Sequence, residues 1–176
     1  MQELNNPTST NPAELVWINN FLSMRTHISR EDIDSILCFS LIWNMFEGLI
    51  CNKNASIPSM EAAIGELQRR GNLRIADYSD CLSYFIQRYV ENGAVNYRFR
   101  HLRFRSRDRE DLVRDVLEGR EVNVPNILLA LLIIVYRYRN NLFHGEKSLH
   151  DLPGQKDNFR TANQLLMIFM ERWRMR

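Results

Sequence analysis

The sequence predicts an all-α protein folded as a single helical bundle of about six or seven helices. Three observations lead there. Apolar residues recur at three- and four-residue spacing in one segment after another. These segments open on capping residues or prolines and several close on glycine or Asn-Gly. The chain has 176 residues, 45% of them hydrophobic and 25% charged, which suits one soluble domain with a substantial core.

The elements follow in order. Residues 1–11 are polar and are expected to form a flexible N-terminal segment ahead of a helical domain over 12–176. Asn11-Pro12-Ala13-Glu14 reads as an N-cap, a first-turn proline and an early acid, and Leu15, Ile18, Phe21 and Leu22 carry that helix to about Arg25. Trp17 belongs either to the same face or to an exposed contact. Ser29, with Glu31 and Asp32 in the first turn, opens a second helix. Its apolar residues, from Ile33 to Ile50, cover so broad an arc that burial on more than one side is expected. A shorter helix is expected over Pro58–Arg70, closed by Gly71, with Met60, Ala63, Ile64 and Leu67 inward. Asp77 caps the next, to about Glu91, where Asn92-Gly93 ends it; both read as scaffold. Asp108 to Leu117 predicts a short helix ended by Gly119, and Asn123 with Pro125 starts a long apolar one. Ser148–Pro153 reads as a turn. The last helix, about Asp157 to Met175, sets Phe159, Ala162, Leu165, Leu166, Phe169 and Trp173 on one stripe, with Arg172, Arg174 and Arg176 at its basic end.

The chain is organised around Tyr136–Lys147, YRYRNNLFHGEK. This stretch closes the most apolar run, Ile127–Val135, and delivers two Arg, two Asn and a His within eight residues. Such a cluster either caps the helix or builds a site. Asn, Gly and basic residues near a helix C-terminus are ordinary capping, and a cation there complements the macrodipole. Arg139 and His144 stand five residues apart, a step of about 140° on an ideal helix, so they share no face. Gly145 invites a stop just after His144, where a turn could bring its imidazole back to Arg139. The pair would then join a fixed cation to a group that titrates near neutrality. Metal-free RNA cleavage by the substrate's own 2′-hydroxyl needs a base, an acid and a donor to the phosphate. His144 supplies acid or base, Arg139 a planar fork for phosphate oxygens, and Asn140 an amide donor to phosphate or to His144. One motif holds one imidazole, so a two-fold dimer that apposes two copies suits the chemistry.

Arg139-Asn140-Asn141-Leu142-Phe143-His144 resembles the Arg-(four to six residues)-His signature of the HEPN superfamily, in which a polar residue usually follows the Arg. Trp43-Asn44-Met45-Phe46-Glu47, on the earlier long helix, matches more loosely the aromatic-then-Glu feature of such domains. The resemblance covers residues 30–175, apart from the Arg-rich stretch. It implies a small α-helical bundle, commonly homodimeric, in which the two motifs form one cleft. It also implies a metal-independent endoribonuclease of a toxin–antitoxin or anti-phage defence system, held in check by an antitoxin or regulatory protein. Some members have lost the catalytic pair. The catalytic candidates are therefore Arg139, His144 and Asn140, with Glu47, Asn141 and Tyr138 in support. Glu47 sits inside an apolar helix, where a lone carboxylate is costly, so it either pairs with Arg139 or His144 or turns to solvent or a backbone group. His150 and Asp151 lie near enough in sequence to join the site, although an exposed pair in a turn is common.

The second unusual stretch is Asn96–Arg109, NYRFRHLRFRSRDR, with six Arg interleaved with Tyr97, Phe99 and Phe104. Phosphate neutralisation plus base stacking is what single-stranded RNA requires, which makes Arg100, Arg103, Arg105 and, beyond the motif, Lys147 candidate RNA contacts. Alternatively the aromatics tuck under an extended loop or hairpin, and Asp108, Glu110, Asp111 and Asp115 neutralise several of the Arg through surface pairs.

Net charge is only +2, so any nucleic-acid surface must come from local clustering. Cys38, Cys51 and Cys81 form no close pair, and two fall within helical apolar patterns, as free buried thiols in a reducing compartment would. The opening residues lack signal-peptide regions and the longest apolar run is about half a membrane span, so a soluble, cytoplasmic protein without membrane contact is expected. Four scattered His make a poor metal set, and neither metal nor cofactor is expected. The rival class is a non-catalytic module in which the same cluster binds a nucleotide or RNA, or stitches a dimer, in a regulator or scaffold.

Overall fold

Seven α-helices follow one another among the described residues, 12–22, 27–143 and 154–175 of the computed structural model. They are α1 (Ala13–Leu22), α2 (Arg30–Leu49), α3 (Ile57–Arg69), α4 (Ser79–Tyr89), α5 (Glu110–Leu117), α6 (Val124–Phe143) and α7 (Lys156–Arg174). The chain is an all-α bundle, as its apolar periodicity predicts. Asn11, the expected end near Arg25, Ser148–Pro153 and Arg176 lie outside the described residues.

The bundle is built around α6. Residues 127–135 are all buried, eight of the nine at 0–3% exposure and Ile127 at 8%. A helix apolar on every side needs partners on every side. α3 and α5 pack along it, with α7 beside them, and α2 runs against α7. The inward faces of α3 and α7 are those the sequence indicates: Met60, Ala63, Ile64 and Leu67, then Phe159, Ala162, Leu165, Leu166 and Phe169, with Trp173 half-buried. Cys51 and Cys81 are buried thiols and burial raises both, Cys81 to about 11; Cys38 is exposed.

Local rules explain most boundaries. Ser29 and Asp32 form a reciprocal capping box: the Asp32 N–H donates to Ser29 Oγ (3.1 Å) and the Ser29 N–H to Asp32 Oδ2 (3.0 Å). Ser56 and Ser59 do the same for α3, which places its start one residue before Pro58. Around α4 the structure departs from the expected single helix, and Asp77, expected to cap it, instead pairs with Arg172 (2.7 Å). A short 3-10 helix, Ile75–Tyr78, precedes α4, and a two-residue hairpin follows it, β1 (Val90–Glu91) and β2 (Ala94–Val95), paired Val90↔Val95 and Glu91↔Ala94. Asn92 and Gly93 both have positive φ (54° and 78°), so they make the primed turn that this dipeptide favours instead of merely ending a helix. A second 3-10 helix, Phe99–Leu102, then lies against α6.

The expected two-sided burial of α2 is not found within one chain. Phe39, Trp43 and Phe46 face the core, whereas Leu37, Leu41, Met45 and Leu49 are 51–69% exposed on the opposite side. In α1, Leu15 is buried and Ile18 and Leu22 pack beside it, but Trp17 and Phe21 stack on each other in solvent, with ring centroids 5.1 Å apart. No helix among the described residues is long and apolar enough to cross a membrane.

Tyr89 and Tyr138 meet in the core with their hydroxyls 2.6 Å apart. Burial keeps both phenols protonated, pushing Tyr89 up to about 12 and Tyr138 well above its ordinary value. A phenol whose folded pKa is raised contributes stability that is intact below about pH 10 and lost as pH rises through the folded pKa. Phenolate absorbance should therefore show these two staying neutral until the fold gives way. A single titration of every tyrosine with no loss of helix would contradict the burial.

Candidate functional site

The C-terminal end of α6 sends its polar side chains in separate directions, and the helical period explains how. Residues four apart share a face. Arg137 and Asn141 form one such pair and point to the 3-10 helix at Phe99–Leu102. Arg139 and Phe143 form another and lie on the α2 side.

Arg137 is fully buried and fully engaged. Its Nε donates to the Leu102 carbonyl (3.0 Å), its Nη2 to Asn141 Oδ1 (3.2 Å), and its Nη1 stands 2.9 Å from Asp108 Oδ2. Asn141 Nδ2 donates to the carbonyls of His101 and Leu102 (3.2 and 3.0 Å). Asp108 Oδ2 also accepts the Arg105 N–H at 2.7 Å. Together these bonds fasten the Arg-rich loop to α6. Asn141, expected to support the motif, is occupied on the other side of the helix. Tyr138 is likewise a core residue, packed against Phe85 and Phe159 and bonded to Tyr89.

Arg139 is held differently. Its side chain is 29% exposed, its Nη1 donates to Asn140 Oδ1 at 3.2 Å, and its Nη2 lies 4.0 Å from Glu47 Oε2. The guanidinium carbon sits 5.6 Å from the centroid of the exposed Phe143 ring, a cation–π contact. The buried Nε has no hydrogen-bond partner among the described residues. Glu47 is itself positioned by α2 and the turn after it: Oε1 accepts the Ala55 N–H (3.1 Å) and Oε2 the Trp43 indole N–H (3.3 Å). Sequence reasoning left Glu47 either paired with Arg139 or His144 or turned to solvent or a backbone group; the carboxylate accepts a backbone N–H and also stands beside Arg139, at ion-pair rather than hydrogen-bond distance. The sequence reading gave Trp43 no role in the site; its i,i+4 spacing to Glu47 was the available signal. Asn140 is buried against Arg139. His144, Lys147, His150 and Asp151 lie outside the described residues.

The Arg-rich stretch combines both expected arrangements. Phe99 is buried and Phe104 half-buried on it, centroids 5.1 Å apart, while Tyr97 is 58% exposed beneath the Arg98 guanidinium. Three of the four expected neutralising acids are taken elsewhere, which corrects the surface-pair reading for them. Asp108 binds Arg137, Glu110 binds Arg114 (2.7 Å) and Asp115 binds Arg120 (2.6 Å). Arg109, the last Arg of the stretch, pairs with Glu61 on α3. Arg100, Arg103 and Arg105 are exposed.

A surface cavity of about 540 Å³ lies elsewhere, lined by Ile50, Ser59, Arg70 and Trp173 among others, and includes no motif residue. Among the described residues no three of His, Cys, Asp and Glu gather as a metal-binding group. No family model matches the chain, and no curated protein or solved structure is significantly similar to it.

The Arg137–Asp108 pair is the clearest energetic test of this region. Asp108→Ala leaves a buried guanidinium without its carboxylate and should lower unfolding free energy by about 3–5 kcal/mol in urea denaturation. Replacing both partners with apolar residues should recover most of that loss. A cost below about 1 kcal/mol for Asp108→Ala would mean that water reaches the pair.

Proposed function

We propose that the protein is a metal-independent endoribonuclease of the HEPN type, acting as a homodimer in a toxin–antitoxin or anti-phage defence setting. The observation that carries this reading is the state of Arg139. Two residues earlier on the same helix, Arg137 has its guanidinium committed to the fold at Leu102, Asn141 and Asp108. Arg139 is instead partly exposed, loosely paired, and oriented by Glu47, Asn140 and Phe143. An incompletely satisfied guanidinium is a stability cost, and its unused donor capacity suits a phosphate.

His144 follows α6 directly and carries the proton transfers. The 2′-oxygen of the RNA attacks phosphorus as a general base takes its proton. The bond from phosphorus to the 5′-oxygen breaks as a general acid protonates that oxygen, leaving a 2′,3′-cyclic phosphate and a free 5′-hydroxyl. Arg139 stabilises the charge on the non-bridging oxygens, which crowds most in the transition state. Base and acid need two imidazoles, so two motifs must meet. The row Leu37, Leu41, Met45 and Leu49 supports a two-fold contact, since it runs for about 18 Å along α2 as an apolar surface that no other described residue covers. The other side of that helix presents Glu47 to Arg139.

A binding or dimerisation module without turnover draws its support from Asn141, which the same motif commits to holding a loop. Two experiments separate the readings. RNA cleavage in excess EDTA should persist in the wild type, leave cyclic phosphate ends, and fall by at least about a hundredfold in His144→Ala and Arg139→Ala. Wild type and variants equally inert, with a candidate activator added, would replace catalysis with binding. Light scattering should find a dimer that Leu41→Glu converts to a folded monomer, with cleavage lost alongside. A wild type that stays monomeric at all concentrations while cleaving RNA would sink the two-motif arrangement.

A further inference from the structure

We propose that the loop over residues 97–107 is a landing platform for single-stranded nucleic acid, which it leads across the C-terminal end of α6. Four observations converge on it. Between residues 97 and 107 the sequence has five Arg and no acid. Of the four acids that follow, Asp108, Glu110 and Asp115 stand against Arg137, Arg114 and Arg120, none of which belongs to the loop. All five of those Arg are exposed. Tyr97, the exposed aromatic of the stretch, carries Arg98 over its ring at 5.4 Å, with His101 edge-on at 6.2 Å.

A surface of this kind gives charge for phosphates and planar groups for bases. Single strands expose both at once, whereas duplexes hide their base faces in the stack. An anionic membrane surface would use the charge and ignore the ring. The platform is also held in place. Phe99 and Leu102 are buried beneath it, and the Arg137, Asn141 and Asp108 bonds tie its backbone to α6. Exposed Arg side chains on a fixed backbone lose less entropy on binding than the same residues on a free tail. Because Arg137 and Asn141 lie on one face of α6 and Arg139 on the other, a strand seated on the loop reaches Arg139 by crossing the end of a single helix, about 10–12 Å wide with its side chains. That path to Arg139 rests on the ribonuclease reading; binding to the loop does not.

The test uses the full chain carrying His144→Ala, so that no probe is cut, and labelled oligouridine RNA and oligothymidine DNA of about 16 nucleotides. Arg100→Gln with Arg103→Gln should reduce the slope of log affinity against log salt by about 1.4, for two lost phosphate contacts on a single strand. Tyr97→Ala should weaken binding about tenfold with the slope unchanged. Neither site is buried, so the melting temperature should stay near that of the parent. Unchanged affinity and slope in the double variant would overturn the platform. Equal or tighter binding to duplex DNA, or to vesicles rich in phosphatidylserine, would overturn its assignment to single strands. A preference for the uridine over the thymidine probe would identify RNA as the source of the strand. Retained binding in a chain whose wild type never cleaves RNA would leave the platform standing and remove the nuclease reading. Wild-type cleavage undiminished by the double variant, with unchanged binding, would do the reverse.

Discussion

The burial of α6 on every side is the constraint from which the rest of the architecture follows. Nine consecutive residues, 127–135, meet no appreciable solvent. A helix with that composition has no polar face to offer water, so the other elements must enclose it. α3, α5 and α7 do so by presenting amphipathic faces, and α2 closes the bundle by packing against α7. Its polar end is a consequence of the same arrangement. A helix running through the centre of a bundle emerges among its neighbours, and side chains there have to be satisfied by them.

That condition sorts the polar residues of the motif. Arg137 enters a fully buried position and finds an acceptor for each part of its guanidinium. A buried ion pair seldom adds much net stability, but the loss of one partner is expensive, so such a pair enforces one geometry. Here the geometry enforced is that of the Arg-rich loop, whose Phe99 and Leu102 are also buried. Arg139 emerges on the other side, next to a carboxylate that is anchored by an indole and a backbone amide. Glu47 is held still while Arg139 Nε has no hydrogen-bond partner among the described residues.

Two surfaces stand out against this interior. The outer face of α2 is an apolar row that no other described residue covers, and the loop over 97–107 is a basic one, with three of the four acids after it paired to Arg outside it. The proposed dimeric ribonuclease gives both a use, one for the second copy and the other for the strand. Each surface belongs to an element that also touches the motif, α2 through Glu47 and the loop through Asn141. Assembly, binding and chemistry would therefore meet at the end of α6.

Much of this was legible from residue order alone. Helical periodicity, Ser29 as a capping position, and the proline-led starts depend on interactions within a few residues, which the sequence displays directly. The apolar run from Ile127 predicted a long helix for the same reason, either central in the bundle or partly a dimer interface, and the polar cluster after it read as a cap or a site. What the sequence could not reveal was the direction each polar side chain takes. Asn140 and Asn141 are neighbours in the chain and about 100° apart on the helix, so one joins Arg139 and the other holds a distant loop. Asp108 stood in a run of acids that looked like surface partners for adjacent Arg, yet it lies buried against Arg137, 29 residues further on. Asn92-Gly93 looked like a helix stop and made a hairpin, because β2 was free to pair back. Such choices rest on long-range packing, in which burial raises the cost of an unsatisfied group, and only the tertiary structure decided them.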